Sequence, residues 1–556
     1  MVTYQDIANL IFPDVDSSLS KLEERFPIRN LPPNAEVTRF APSPTGFLHT
    51  GSLFTSLICY RVAKQSGGVF YVRLEDTDTK REIEGSGIQL LTQLKLFGIV
   101  PDEGYLGDHE EGNYGPYVQS KRADIYKIVI KHLLEQGKAY PCFCSQEELE
   151  EIRKEQESRK LTPGYYGEFA KCRFLSNEEI KLRLERGDKY VIRFKSNGNH
   201  LNKIKVSDLV HGDFEIAEND LDIVIYKSDG LPTYHFAHVV DDHFMRTTTV
   251  IRGEEWISSL PIHVELFKAL GWKAPKYAHL PVIMKVGENG NKRKLSKRLD
   301  SEAAVSYFLE DGYPTEALIM YLMTIANSNF EQWIFEHKFE HMEEFEFSFS
   351  KMSLEGALFD MGKLNFFARE ILVKKSKTEI LDMALEYAKQ YNEKLFALIN
   401  RDHELFMNIM NIEKDKENPR KDYEKFGGLD QTISFFYNDL YDQYLKENKL
   451  EFNPRFSGTD ISVVLSNISE QLSIEQDEQS WFNNMKEIGE ALGFAPNGKL
   501  FKQNPDIYRG SVADIAEITR IALTTRKNSP NLYYVMKILG KEECTRRFNL
   551  VMENIK

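Results

Sequence analysis

The 556-residue sequence holds only five cysteines, Cys59, Cys142, Cys144, Cys172 and Cys544. So odd and sparse a set argues against a disulfide framework and fits a reducing compartment. No uninterrupted apolar run approaches the ~20 residues that a membrane helix requires, so no membrane association is expected. The opening MVTYQDIANLIFPDVDSSLS has no basic leader and carries acidic residues inside its apolar stretch. It matches neither a secretory signal nor a transit peptide, and a cytoplasmic location is expected. Internal repeats and long low-complexity tracts are absent. Positive charge is not in excess either, since 71 basic against 85 acidic residues leave a net −14. That sum does not exclude a nucleic-acid partner, because binding depends on where the positive charge sits.

What the chain does contain is a folded, multidomain composition. With 42% hydrophobic and 28% charged residues, it has the apolar surface that disordered chains lack. Single cores stop growing near ~250 to 300 residues, so about three to five domains are expected. Residues 1–36 read as a helical preamble ending in the turn-rich RNLPPNAE. VTRFAPSP then starts a strand that breaks into a Pro/Gly loop, and a helix follows from about Ser52 to Gln65. GGVFYVRLED reads as a turn and buried strand, and SGIQLLTQLKLFG as the next helix. Strand, helix, strand, helix predicts a parallel sheet wound by crossovers. A further amphipathic helix is expected from Gln119 to Gly137. AYPCFCS and the highly charged EELEEIRKEQESRK then mark an inserted subdomain over residues 141–221. The sheet pattern resumes at DIVIYKSDGLPTYHFAHVVDD and TTVIRGEEW, and beyond residue 300 helix follows helix.

Two segments carry the chemistry. In RFAPSPTGFLHTGS, Arg39 to Ser52, Pro42 and Pro44 stiffen a loop while Gly46 and Gly51 allow close backbone approach. The helix behind it presents free N–H groups and the positive end of a dipole, which suits a nucleotide phosphate. His49 can donate to a phosphoryl oxygen as negative charge develops. A plain strand-to-helix turn is the bland alternative, disfavoured by the density of small and rigid residues. The second segment, NKRKLSKR from Asn291 to Arg298, has five basic residues among eight, with Gly287 and Gly290 upstream. Its lysines can close over a triphosphate. Basic runs are usually solvated surface, and only the pairing with the first segment reverses those odds. Between them, DGLPTYHFAHVVDDHFM and VIRGEEW are rich in His and Asp, yet their spacing matches none of the usual zinc signatures.

The first segment, followed far downstream by KLSKR, resembles the two signatures of class I aminoacyl-tRNA synthetases, with HTGS where many members read HIGH. More narrowly, RFAPSPTG, VRLEDTD, GPYVQSKRADIY, PTYHFAHVVDD and VIRGEEW together resemble the bacterial glutamyl-tRNA synthetase family. The resemblance implies an α/β fold class: a Rossmann-like parallel-sheet catalytic domain with an inserted acceptor-binding subdomain, followed by an all-α C-terminal half. The expected boundaries are an N-terminal helical extension over 1–36, catalytic halves over 37–140 and 222–300, and the insertion over 141–221. A stem-contact domain is expected over 301–385 and an anticodon-binding domain over 386–556.

By position, the resemblance pairs Arg39 with the side-chain carboxylate of glutamate, and a fork-shaped guanidinium suits that planar group. Ala41 and Ser43 would line the same pocket, Glu75 would hold the ammonium, and Tyr234, His238 and Arg252 would complete the amino-acid site. Trp256 would pack beside it. Some relatives carry Asn at His238, which leaves a structural histidine at a sheet end as the competing reading. Asp76 and Asp78 read as caps of the next helix. His49, Lys294 and Lys297 would be catalytic. ATP would also meet Pro42, Thr45, Gly46, Gly51 and Ser52 in the first segment, and Glu255, Leu295, Ser296 and Arg298 near the second.

The implied cofactors are ATP and Mg2+, and the implied partners are glutamate and tRNA(Glu), with a monomer expected. Cys142, Cys144 and Cys172 resemble a zinc cluster carried by some members. Three thiols are an incomplete set, Phe174 stands where a fourth ligand might sit, and Tyr165 or Tyr166 are substitutes; three buried or solvent-facing thiols without zinc are preferred and no metal site is assigned. Near the C-terminus, Arg520, Arg526, Lys527, Lys537 and Arg546 offer phosphate contacts and Tyr533 and Tyr534 offer stacking, against a null of ordinary surface solvation. Competing readings are a glutaminyl-tRNA synthetase, a form that also charges tRNA(Gln), a truncated relative lacking residues beyond about 300, a non-catalytic RNA-binding paralogue and a small-molecule nucleotidyltransferase. The truncated form does not fit the length, and the paralogue predicts decay of catalytic residues that are all present.

Overall fold

The computed structural model describes residues 1–78, 83–296 and 298–555. The chain divides into two compact units, Met1–Tyr307 with Ile319–Met361 and Phe308–Leu318 with Gly362–Lys556.

The first unit is α/β. Helices α1 (Tyr4–Ile11) and α2 (Leu19–Arg25) precede β1 (Val37–Phe40), which is buried at every position. Helix α3 (Thr50–Gln65) carries the chain back to β2 (Val69–Val72), parallel to β1 with Arg39 beside Tyr71. Helix α4 (Ser86–Leu96) makes the next crossover to β3 (Glu103–Tyr105), again parallel, and β4 (Glu110–Glu111) closes that sheet antiparallel. These are the crossovers that the alternating pattern predicts.

The expected 119–137 helix begins as a 3-10 turn over Gln119–Arg122 and becomes helix α5 (Ala123–Glu135). Next come β5 (Ala139–Cys142), α6 (Gln146–Ser158), α7 (Asn177–Glu185), β6 (Val191–Phe194), β7 (Lys203–Asp208), β8 (Gly212–Ala217) and β9 (Val224–Tyr226). β5, β6 and β9 form an antiparallel sheet, so strands at both edges of the 141–221 segment pair through one inside it. β7 and β8 form a hairpin. Beyond them, β10 (Thr249–Gly253) and β11 (Lys276–Leu280) are parallel, and β7 joins the far edge of β11 at Tyr277 and Asp208.

One expectation is corrected. The segment DIVIYKSDGLPTYHFAHVVDD does not continue as sheet: only Val224–Tyr226 is strand, and Tyr234–Phe244 is helix α8. Phe236, Val239, Val240 and Phe244 recur at helical spacing, and all four are completely buried. They pack with Ile125 and Val129 of α5 and with Phe12 and Phe26 of the N-terminal extension. Helix α9 (Leu260–Leu270) lies between β10 and β11, and β12 (Met284–Val286) and β13 (Lys292–Lys294) form an antiparallel hairpin.

The second unit, among the described residues, has helices and no strand. Its apolar residues gather in two cores, one around Ile380, Leu395 and Phe406 and the other around Leu465, Met485 and Ile515. No described helix is long and apolar enough to cross a membrane.

Candidate active site

The loop leaving β1 is held by backbone bonds: Glu75 N–H donates to the Pro42 carbonyl at 2.9 Å and Ile83 N–H to that of Pro44 at 2.8 Å. Gly46 sits at φ +132°, which disfavours any side chain. His49 is the N-cap of α3, its Nδ1 accepting from Gly51 N–H at 2.9 Å. With Nδ1 used as acceptor, the neutral ring carries its proton on Nε2, as a donor. A Cβ on residue 51 would stand 3.2 Å from that Nδ1, which accounts for glycine there.

The second segment is tied to the first. Thr50 Oγ1 donates to the Glu302 carbonyl at 2.7 Å, and Val305 N–H to that of Leu48 at 3.1 Å. Asp300 organises the turn after β13, accepting from both terminal nitrogens of Arg293 at 2.6 and 2.7 Å and from Ser296 N–H at 2.9 Å. The Arg293 guanidinium holds the Asp300 carboxyl far below the usual carboxylate range. Lys294 Nζ lies 3.3 Å from Glu255 Oε1. Lys297 lies outside the described residues; beside it, Ser296 is engaged by Asp300 and Arg298 is exposed.

Both segments open on one cavity of about 680 Å³. Pro42, Thr45, Gly46, His49, Gly51 and Ser52 line it, as do Glu255, Lys294 and Leu295. So do Arg39, Ala41, Ser43, Glu75, Tyr234, Arg252 and Trp256, with the Tyr234 and Trp256 rings 4.5 Å apart. Ser296 and Arg298 are not among its lining residues. His238 also stays off the lining: it is fully buried on α8, not at a sheet end, with Nδ1 3.0 Å from Asp242 and Nε2 3.3 Å from the Tyr277 hydroxyl. Asp76 caps a different turn from the one expected, accepting from Ser120 N–H at 2.8 Å, while the N-cap of α4 is Gly85.

Beneath the cavity lies a buried charge network that no local motif announces. Asp242 accepts from Arg39 Nε at 3.2 Å and from Arg73 Nη1 at 2.6 Å, and Arg73 Nη2 donates to Glu75 at 2.9 Å. Asp241 accepts from Arg122 Nε at 2.6 Å, from Gln119 at 2.9 Å and from the Tyr126 hydroxyl at 2.8 Å. Three guanidiniums face three carboxylates, so the set is neutral, as buried charges must be to avoid several kcal/mol of unpaired desolvation. The sequence signal is charge beside apolar runs: Arg73 within VFYVRL and the Asp pair directly after Val239 and Val240 in α8.

The electrostatics follow from this burial. Desolvation would raise the Asp242 carboxyl, but the Arg39 and Arg73 charges, with His238, hold it well below its ordinary value. Desolvation wins at Glu75, whose carboxyl is raised despite Arg73 and Arg39. Burial lowers His238 to about 3 against the pull of Asp242, and lowers His235 to about 4. Arg252 donates from Nη1 to the Tyr234 hydroxyl at 3.4 Å and from Nη2 to the Trp256 carbonyl at 3.3 Å. The cavity thus offers the guanidiniums of Arg39 and Arg252 and the Glu75 carboxylate together with the N-terminus of α3, the His49 imidazole and Lys294. Guanidinium forks suit carboxylates and helix N-termini suit phosphates.

The three thiols converge, with Cys142 and Cys172 buried and Cys144 partly exposed. The sulfurs of Cys142, Cys144 and Cys172 lie within 4.8 Å of one another, and the Tyr165 hydroxyl is 3.2 Å from Cys144 Sγ. Phe174 points to solvent and Tyr166 donates to the Thr162 carbonyl, so neither joins them. In the second unit Tyr533 is buried against Trp481, which removes it from base stacking, and Arg546 is held by Asp442 and Glu543. Arg526 Nη1 donates to the Thr432 carbonyl at 3.3 Å, and Lys527 lies 3.7 Å from Glu451.

Residues 36–366 match the family described as tRNA synthetases class I (E and Q), catalytic domain, and residues 511–552 match the anticodon binding domain family. A glutamate–tRNA ligase of Clostridium perfringens (strain 13 / Type A) is 45% identical over 547 residues, spanning 98% of this chain and 100% of its own. One from Acetivibrio thermocellus is 42% identical over 553 residues, spanning 99% and 100%. The glutamate-tRNA synthetase structure from Elizabethkingia anophelis is 30% identical with a TM-score of 0.73, covering 93% of this chain and 100% of its own. The fold is that of a class I tRNA synthetase catalytic domain carrying a helical second unit. Within that class, the chain belongs to the glutamate–tRNA ligase family.

Two predictions follow from the buried network. Asp242→Asn leaves Arg39 and Arg73 short of a counter-charge and should lower the unfolding free energy by about 3 to 5 kcal/mol; a loss below ~1 kcal/mol in denaturant titration would contradict the pairing. His238 and His235 bind protons in the unfolded chain near pH 6.5, but in the folded chain only at about 3 and 4. Stability is therefore full above the unfolded value and declines as pH falls from there toward the folded values. His238→Asn should flatten that decline in melting temperature against pH, and an unchanged slope would contradict it.

Proposed function

We propose that the chain is a glutamate–tRNA ligase, activating glutamate with ATP and transferring it to the 3′ end of tRNA(Glu). The observation that carries the reading is that one cavity is lined by Arg39, Glu75 and Arg252 together with the His49 loop and Lys294. In the first step a glutamate α-carboxylate oxygen attacks the α-phosphorus, the bond to the bridging oxygen breaks, and pyrophosphate leaves. In the second, a terminal ribose hydroxyl of tRNA attacks the activated carbonyl and AMP leaves. Little covalent work falls to the protein, so positioning and charge stabilisation supply the rate.

Arg39, with Arg252 and Tyr234, receives the side-chain carboxylate; Glu75 holds the ammonium; Ala41 and Ser43 fit the chain between. Raised by burial, Glu75 gains an ion partner when the ammonium binds, so glutamate affinity should weaken as pH falls into the titration range of that carboxyl. The Nε2–H of His49, the N-terminus of α3, Lys294 and Lys297 act on the ATP phosphates, and Mg2+ accompanies the nucleotide without a dedicated protein cage. Glutamine is rejected because the guanidiniums of Arg39 and Arg252 only donate, so its amide NH2 would face donors where a carboxylate offers acceptors on both oxygens. The enzyme works as a cytoplasmic monomer, with residues 141–221 receiving the acceptor end, 301–385 the stem and 386–556 the anticodon.

Cys142, Cys144, Cys172 and Tyr165 together supply four donors, a set that fits tetrahedral zinc and would brace the insertion. Metal analysis of the purified protein should find one zinc per chain, lost in Cys144→Ser; a metal-free native protein would overturn the assignment.

The function is tested by ATP–pyrophosphate exchange with tRNA(Glu) present. Glutamate should support exchange and glutamine should not. Arg39→Gln should cut kcat/KM for glutamate by about a hundredfold or more, in line with the loss of a buried charged partner, with KM for ATP unchanged. Lys297→Ala should depress adenylate formation by orders of magnitude while tRNA affinity holds. Absence of glutamate-dependent exchange in the wild type would sink the proposal.

A further inference from the structure

We propose that Asp208 and His279 are positioning residues for Arg252, a buried carboxylate–imidazole relay that fixes the guanidinium at the amino-acid end of the cavity. The proposal rests on the reading of that cavity as the glutamate site.

Arg252 sits on β10 and His279 directly across from it on β11, in register. Arg252 Nε donates to His279 Nε2 at 3.0 Å, and His279 Nδ1 lies 2.7 Å from Asp208 Oδ2, with both the His279 and Asp208 side chains fully buried. The direction of the relay is forced. A guanidinium only donates, so His279 Nε2 must present its lone pair, the proton must sit on Nδ1, and the group beyond Nδ1 must accept. A carboxylate is the acceptor that also sets the tautomer, as it does for imidazoles that ligate metals. Here the imidazole serves an arginine instead.

The remaining contacts of Asp208 show why this position calls for a carboxylate. Oδ1 accepts from Val210 N–H and His211 N–H, both at 2.9 Å, and Oδ2 also accepts from His279 N–H at 3.1 Å. Four donors therefore converge on two oxygens. An asparagine would turn its amide NH2 against one pair of donors in either orientation, so the isosteric change breaks either the turn after β7 or the bond to His279.

The relay supplies the one contact to Arg252 Nε. The other hydrogen bonds of Arg252, to Tyr234, His263 and Trp256, are made by the two terminal nitrogens at 3.3 to 3.4 Å, and the guanidinium lies 5.2 Å from the Tyr277 ring centre. Nε fixes the rotation of the guanidinium plane, while the terminal nitrogens face the cavity side, where Tyr234 and Trp256 stand. Without His279 the fork keeps only the longer bonds of its terminal nitrogens, and its alignment with a planar carboxylate partner loosens. Asp208 belongs to the β7–β8 hairpin, which meets β11 at that residue, so a residue of the inserted segment shapes a pocket otherwise built from the catalytic sheet.

The test is exchange kinetics on the full-length protein with tRNA(Glu) present, varying glutamate and ATP separately. Wild-type glutamate-dependent exchange checks the underlying reading independently of the relay. Asp208→Asn and His279→Gln should each raise KM for glutamate about tenfold while KM for ATP stays within about twofold. In an Arg252→Lys background, each should add less than about twofold, because both act through Arg252. His279→Gln leaves the Asp208 turn contacts in place, so it carries the test should Asp208→Asn fail to fold. An unchanged glutamate KM, a parallel rise in ATP KM, or full additivity with Arg252→Lys overturns the proposal even where the wild type exchanges normally.

Discussion

The Asp242 carboxylate, held between the guanidiniums of Arg39 and Arg73, is the interaction on which the rest of the catalytic unit depends. It ties α8 to β1 and to the end of β2, so the helix carrying Tyr234 is fixed against the strands that deliver Arg39 and Glu75. It also lets three arginines enter an apolar core. Without Asp241, Asp242 and Glu75 the desolvation of those charges would exceed what packing returns, and with them the set is neutral. An exactly balanced pocket has no net charge to offer a neutral amide, whereas an incoming carboxylate and ammonium each find an opposite group at the cavity wall.

The nucleotide end is governed by a different constraint. There the loop from Arg39 to Gly51 and the turn organised by Asp300 come from distant parts of the chain. They are clasped by Thr50 with Glu302 and by Leu48 with Val305. The clasp sets where Lys294 stands relative to His49, and it does so through the Thr50 hydroxyl and the backbone atoms of Leu48, Glu302 and Val305. One cavity therefore has a rigid, ion-paired end and an end whose geometry rests on two joined loops.

Much of this was legible before any coordinates. Small and rigid residues between Arg39 and Gly51 pointed to a strand–loop–helix phosphate site, and strand and helix patterns around it predicted the parallel pairing of β1 and β2. The misreading of Tyr234 to Phe244 as sheet has a plain cause: a short apolar run with His and Tyr suits either period, and the distinguishing spacing of Phe236, Val240 and Phe244 is only three turns long. The ion-pair partners were out of reach for another reason. Arg39 and Asp242 are 203 residues apart and Asp208 and His279 are 71 apart, and no local pattern links them. The thiol cluster falls between these cases. The three cysteines were visible as a group, but Tyr165 joins them only through the fold of the loop between α6 and the 171–174 turn.

Calorimetric titration of the wild-type protein with glutamate and with glutamine tests the central claim most directly, since it reads the charge preference of the Arg39 pocket without catalysis. Glutamate should bind one per chain and glutamine at least about a hundredfold more weakly, as expected where an amide NH2 is set against guanidinium donors. Equal affinities would contradict the role given to Arg39 and to the Asp242 bridge behind it.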